Sequence, residues 1–119
     1  MTKTQLLFAA VGRQTVTAVR YRAAAALAHS ASNYYVVTVY RRKPASGAQS
    51  ADKHGEVVGS FTTRTHDLPA GTPVTLYPAV SGSVLSMKDG EELWGVRVST
   101  GSPALLDGPA YSVEVQPDV

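Results

Sequence analysis

The residues with the strongest chemical character form a basic and aromatic series: Arg20-Tyr21-Arg22, then Tyr34-Tyr35, then Tyr40-Arg41-Arg42-Lys43. Tyrosines on a strand face stack bases while neighbouring cations hold phosphates, which is how small β-barrels bind single strands. Alternation along a strand, however, sets Tyr21 opposite to Arg20 and Arg22, and tyrosines are equally at home in sheets and at protein interfaces. The basic excess is local and the whole chain carries only +2, so nucleic acid is disfavoured as the partner. An acidic protein surface suits the series better, and Arg20, Arg22, Arg41, Arg42 and Lys43 are the candidate partner-binding residues.

Other chemistry is thin. His29, His54 and His66 stand in loop-like sequence without the short spacings that put two metal ligands on one face of an element. His66-Asp67 beside Thr65 has the residue types of a triad but no nucleophile elbow, and reads as a solvated loop. Asp89, Glu91 and Glu92 lack the ligand pattern of a calcium loop and read as a solvated turn. The glycines fall in no phosphate-binding register. With no cysteine there is no disulfide, thiolate metal site or cysteine nucleophile. The expectation is a protein that is not an enzyme, with no catalytic residue, no cofactor and no metal site.

The elements that must position these residues read as strands. Tyr111, Val113 and Val115 alternate with Ser112, Glu114 and Gln116; Tyr35, Val37 and Val39 alternate with Tyr34, Val36, Thr38 and Tyr40. The same period assigns Trp94, Val96 and Val98 to one apolar inward face. It likewise pairs Val57 and Gly59 with Phe61, and Thr17 and Val19 with Tyr21, which leaves Arg20 and Arg22 on the exposed side. Val74 to Tyr77 lies between Pro73 and Pro78, which favour strand ends or edges. Asp89-Gly90, between Val84 to Met87 and Leu93 to Val98, predicts a tight hairpin. The alanines at 23 to 28 span barely two helical turns before the loop chemistry of "HSASN", and read as an extended corner, with one short helical turn as the alternative.

At 119 residues the chain fits one domain with one core. Strands at short spacing with turn signals between them predict an all-β, single-domain antiparallel β-sandwich, jelly-roll or immunoglobulin-like, spanning 15–119. Residues 1–14 form a short apolar N-terminal arm that reaches another chain, or else an ordinary first strand. Residues 43–55, with no apolar side chain larger than alanine, read as a mobile loop. The six apolar residues from Leu6 to Val11 are too few for a signal segment or a membrane span, so a soluble chain is expected. Charge is divided along the sequence: residues 1–43 hold seven basic residues and no acid, while the rest holds four basic residues against nine acids, a balance of −5. Either the two halves interleave and cancel, or two electrostatic ends steer association.

Taken in order, "TVTAVRYRAAAALA", "SNYYVVTVYRR", "GEVVGSFTT", "DLPAGTPVTLYP", "GSVLSMKDGEELWGVRVSTG" and "YSVEVQP" resemble the small β-sandwich virion proteins of tailed bacteriophages, of the capsid decoration or head fibre type. The resemblance covers about residues 15 to 117. It implies a non-enzymatic structural protein, made in the host cytoplasm, that binds the outside of the capsid in many copies. Such proteins often sit there as trimers and reinforce contacts between major capsid protein subunits. It carries no functional residues over. The other readings are a tail or fibre module recognising a host-surface glycan, with Trp94 or Tyr77 as a stacking platform, and a single-stranded nucleic-acid-binding β-barrel. No membrane partner is expected.

Overall fold

Valine, threonine and tyrosine recur at alternate positions over most of this chain, and strands form where they do. The computed structural model describes residues 2–42, 56–104 and 110–117. Lys43 and the loop expected at 43–55 lie outside the described residues. The strands are β1 (Thr2–Ala9), β2 (Gln14–Arg22), β3 (Tyr34–Arg42), β4 (Glu56–Thr62), β5 (Val74–Tyr77), β6 (Leu85–Met87), β7 (Glu92–Thr100) and β8 (Ala110–Pro117). Among the described residues there is no helix.

Two antiparallel sheets face each other as a β-sandwich. Sheet A has the order β1-β7-β3-β4. Sheet B is built around β2, which pairs with β8 along one edge over its full length. Its other edge is shared by β5, opposite Val19 to Tyr21, and β6, opposite Gln14 to Val16. Residues 2–9, for which an arm and a first strand were the alternatives, pair with β7 as the edge strand of sheet A.

The core lies between the sheets, with Val16, Val19 and Tyr21 from β2, Val37 and Val39 from β3, Leu76, Met87 and Leu93, and Leu68 from the loop after β4. Burying each such side chain contributes about 1.5–3 kcal/mol. The alanine segment is extended, as expected. Ala23 bridges to Ala70 and Leu27 to Leu68, so residues 23–33 turn a corner that carries the chain from sheet B to sheet A.

Several details differ from the simple period of two, and bulges explain most of them. Thr17 has no partner between the pairs Val16 with Val115 and Ala18 with Glu114. Val16, not Thr17, therefore shares the inward face with Val19 and Tyr21. Val58 is likewise extra between Gly59 opposite Val39 and Val57 opposite Tyr40. Val57 thus faces out, 58% exposed, while Val58 packs on the core. One inserted residue reverses every side chain beyond it.

In β7 the whole phase is the opposite of the expected one. Leu93, Gly95 and Arg97 face the core side, while Trp94, Val96 and Val98 face outward. The inward face needs its odd residues: a Cβ on Gly95 would stand 2.6 Å from the Tyr111 ring. The Asp89-Gly90 turn also forms, with Gly90 at φ +86°, but β6 and β7 belong to different sheets and make no hairpin. The turn hands the chain from sheet B to sheet A, and it is held from outside. Gly90 N–H donates to the Ala10 carbonyl and Ala10 N–H to the Glu91 carbonyl, both at 2.9 Å.

Candidate functional site

Every cation of the basic series that the structure describes, Arg22 apart, is matched to an acid from the segment after residue 43. Arg20 on β2 pairs with Glu114 on β8. Arg41 reaches Glu56 on β4 at 2.8 Å and donates to the Ser86 carbonyl of sheet B at 3.3 Å, so its side chain bridges the sheets. Arg42 lies 3.4 Å from Glu92 and stacks over the Trp94 ring, 4.7 Å from its centroid. The basic and acidic segments interleave in the sheets, and at Arg20, Arg41 and Arg42 the charge division of the sequence is offset by cross-strand pairs. The candidate residues are also not brought onto one face. Arg20 and Arg22 point out from sheet B, Arg41 points between the sheets, Arg42 points out from sheet A, and Lys43 is outside the described residues.

The turn read as solvated is so at Asp89, which is exposed, but Glu91 is buried and Glu92 half-buried, and all three carboxylates are tied into the fold. Asp89 accepts from Gly12 N–H at 2.7 Å and Glu91, 5% exposed, accepts from Lys88 N–H at 2.7 Å. Glu92 accepts from Trp94 Nε1 at 3.0 Å. The two described histidines, His29 and His66, stand in no catalytic arrangement, and His54 lies outside the described residues. His66 Nδ1 lies 2.9 Å from the Thr65 hydroxyl, while Asp67 pairs with His29 across the corner, ring nitrogen to carboxylate at 2.7 Å, with both side chains well exposed. The His29 backbone N–H and ring hold the Asp67 carboxyl below its ordinary value.

What the strands do assemble is a surface. Cross-strand register sets three rows on the outer face of sheet A. The first is Leu6, Trp94, Tyr40 and Val57; the second Thr4, Val96, Thr38 and Ser60; the third Thr2, Val98, Val36 and Thr62. Leu6 is 45% exposed and Val98 37%, and together with Val57 they put large apolar side chains into water beside the half-buried Trp94. Exposed apolar side chains around an aromatic, flanked by a paired arginine and interspersed with threonines, are the composition of protein interfaces. Arg42 covers one face of the Trp94 ring and shares Glu92 with its indole N–H, so the three side chains hold one another in place.

The outward position of Trp94 was missed in the sequence because its strand carries a glycine and an arginine on the inward face. The signal that finds it is Gly95 itself: an isolated glycine in a strand marks close approach of another group, here Tyr111. Comparison with known proteins adds no family to this geometry: no family model, curated protein or solved structure matches the chain.

Proposed function

We propose that this chain is a non-enzymatic virion structural protein that docks in many copies on the outer surface of a tailed-phage capsid, through the outer face of sheet A, and reinforces contacts between major capsid protein subunits. The observation that carries the docking face is the row Leu6, Trp94, Tyr40 and Val57, with Leu6 and Val57 exposed at its ends around the half-buried Trp94 and Tyr40, and the exposed Val98 two rows away on the same sheet face. The capsid as partner rests on the resemblance of the segment order to decoration proteins, and assembly as a trimer belongs to the same reading.

An apolar face docks by excluding water, so affinity is carried by a few central side chains and is only weakly dependent on salt. Docking through Arg20 and Arg22 on sheet B would weaken steeply as salt rises. The glycan reading has less support, since the Trp94 ring face that a sugar needs is occupied by the Arg42 guanidinium. The nucleic-acid reading loses Tyr21 and Tyr35, which are buried between the sheets. The test is occupancy of purified capsids by the chain with Val98→Glu, at low and high salt. Occupancy that collapses and was salt-insensitive before the change supports the proposal. Unchanged occupancy removes it.

A further inference from the structure

The sandwich is not equally closed along its two edges. At the β4 and β5 edge the backbones meet: a Cβ on Gly59 would overlap the Leu76 carbonyl oxygen at 1.9 Å. At the opposite edge, where β1 faces β8, the sheets stand apart around a cleft of about 120 Å³ lined by Lys3, Gln5, Tyr21, Arg97 and Tyr111. This is far above the ~10–15 Å³ that a single water requires. A second hollow of about 280 Å³ continues from Lys3 and Arg97 towards Tyr35 and Ser102.

The lining is unusual for the inside of a sandwich. Lys3 and Arg97 are direct cross-strand partners, so two cations stand side by side, an arrangement that destabilises a sheet when nothing offsets it. Arg20, Arg41 and Arg42 each have a carboxylate; among the described residues no carboxylate lies within ion-pair distance of Lys3 or Arg97. Arg97 is held in place without one. Its Nη1 donates to the Tyr21 hydroxyl at 3.2 Å and its guanidinium lies 5.3 Å from the Tyr35 ring centroid. Tyr21 is in turn fixed edge-on against Tyr111, with ring centroids 4.9 Å apart, over the space that Gly95 leaves. A preorganised guanidinium, an ammonium and two phenols around a small cleft make a donor-rich site for negative charge. Burial pushes both phenols upward, so at neutral pH they are intact O–H groups.

We propose that this inter-sheet cleft binds a small oxyanion, a phosphate or carboxylate group, with Arg97 and Lys3 supplying charge and Tyr21 and Tyr111 supplying hydroxyl donors. The anion neutralises the cross-strand pair of cations and thereby ties β1 to the centre of sheet A. The site is independent of the docking proposal, because it opens at the sandwich edge between the sheets and uses none of the outer-face residues.

The experiment is an amide-resolved NMR titration of the full chain, at constant ionic strength with chloride as the balancing salt. One arm uses inorganic phosphate and the other an N-acetyl-aspartate amide. Saturable shifts at Tyr21, Gly95, Arg97 and Tyr111 are expected, with affinity lowered about tenfold or more in Arg97→Met and in Lys3→Met. Lys3 is at an exposed strand end, so its variant keeps the test valid should Arg97→Met not fold. Saturation by phosphate alone assigns a free anion, and saturation by the aspartate compound assigns a carboxylate presented by another chain. No saturable shift in either arm, or equal affinity in Lys3→Met and the parent chain, overturns the site.

Discussion

The two outer faces of this sandwich are made by the same kind of strand and differ in what they leave in water. On sheet B, Arg20, Ser112 and Thr75 share one row and Gln116 and Ser86 flank Thr15, with Arg20 paired to Glu114. On sheet A one row is Leu6, Trp94, Tyr40 and Val57, and Val98 stands in another among threonines, with no charged side chain in either. Both sheets already bury one face against the common core, so folding does not require a second apolar face on sheet A. Keeping exposed apolar groups there costs solubility, and an interface is the physical use that offsets such a cost.

The comparison breaks first if β7 is read the wrong way round. Leu93, fully buried, and Trp94, its neighbour on the outer face, should respond oppositely. Leu93→Ala is expected to lower unfolding free energy by about 2–5 kcal/mol in urea denaturation. Trp94→Ala should lower it by only about 1 kcal/mol while abolishing docking. Equal losses of stability would place Trp94 in the core and remove the docking face.

A sharper contrast uses charge. Val98→Glu should reduce capsid occupancy by at least about tenfold, or 1.4 kcal/mol. Gln116→Glu, on the polar face, should leave occupancy and the urea midpoint unchanged. Next in size, Arg42→Glu sets a carboxylate against Glu92 and uncovers Trp94, and should weaken docking several-fold. Arg22→Glu at the exposed end of β2 should change stability by no more than about 0.5 kcal/mol and leave docking alone. Loss of docking with Arg22→Glu would move the interface to sheet B.

The smallest effect belongs to neither face. Asp67, held below its ordinary value of 3.8 by the His29 backbone N–H and ring, contributes stability that is fully present above that value. This contribution is lost as pH falls through the lower folded value. Urea midpoints measured downward from pH 5 should show a modest drop that Asp67→Asn flattens, and an unaltered drop in that variant would remove His29 as its cause.

The β-sandwich, the alternation of β3 and β8 and the extended alanine corner are legible in the sequence, because valine and tyrosine at period two leave few alternatives. Leu7, Thr17 and Val58 are not legible as bulges. Each is an ordinary strand residue, and only the register of its neighbour reveals the insertion. The outer face of sheet A, proposed for docking, was hidden for the same reason: Trp94, Val96 and Val98 look like a core stripe when the inward Leu93, Gly95 and Arg97 are not yet known to face Tyr21 and Tyr111. The basic series stood out in the sequence through charge alone, but three of its cations, Arg20, Arg41 and Arg42, are matched to Glu114, Glu56 and Glu92, acids on other strands.

The most direct test of the central claim is the number of copies of this chain per major capsid protein subunit. Quantitative mass spectrometry would measure it in tailed-phage particles assembled in cells expressing the parent chain or Val98→Glu. The account predicts a stoichiometric complement on the lattice for the parent chain and loss of most of it for the variant. Particles that carry no parent chain, or that carry both chains equally, would contradict it.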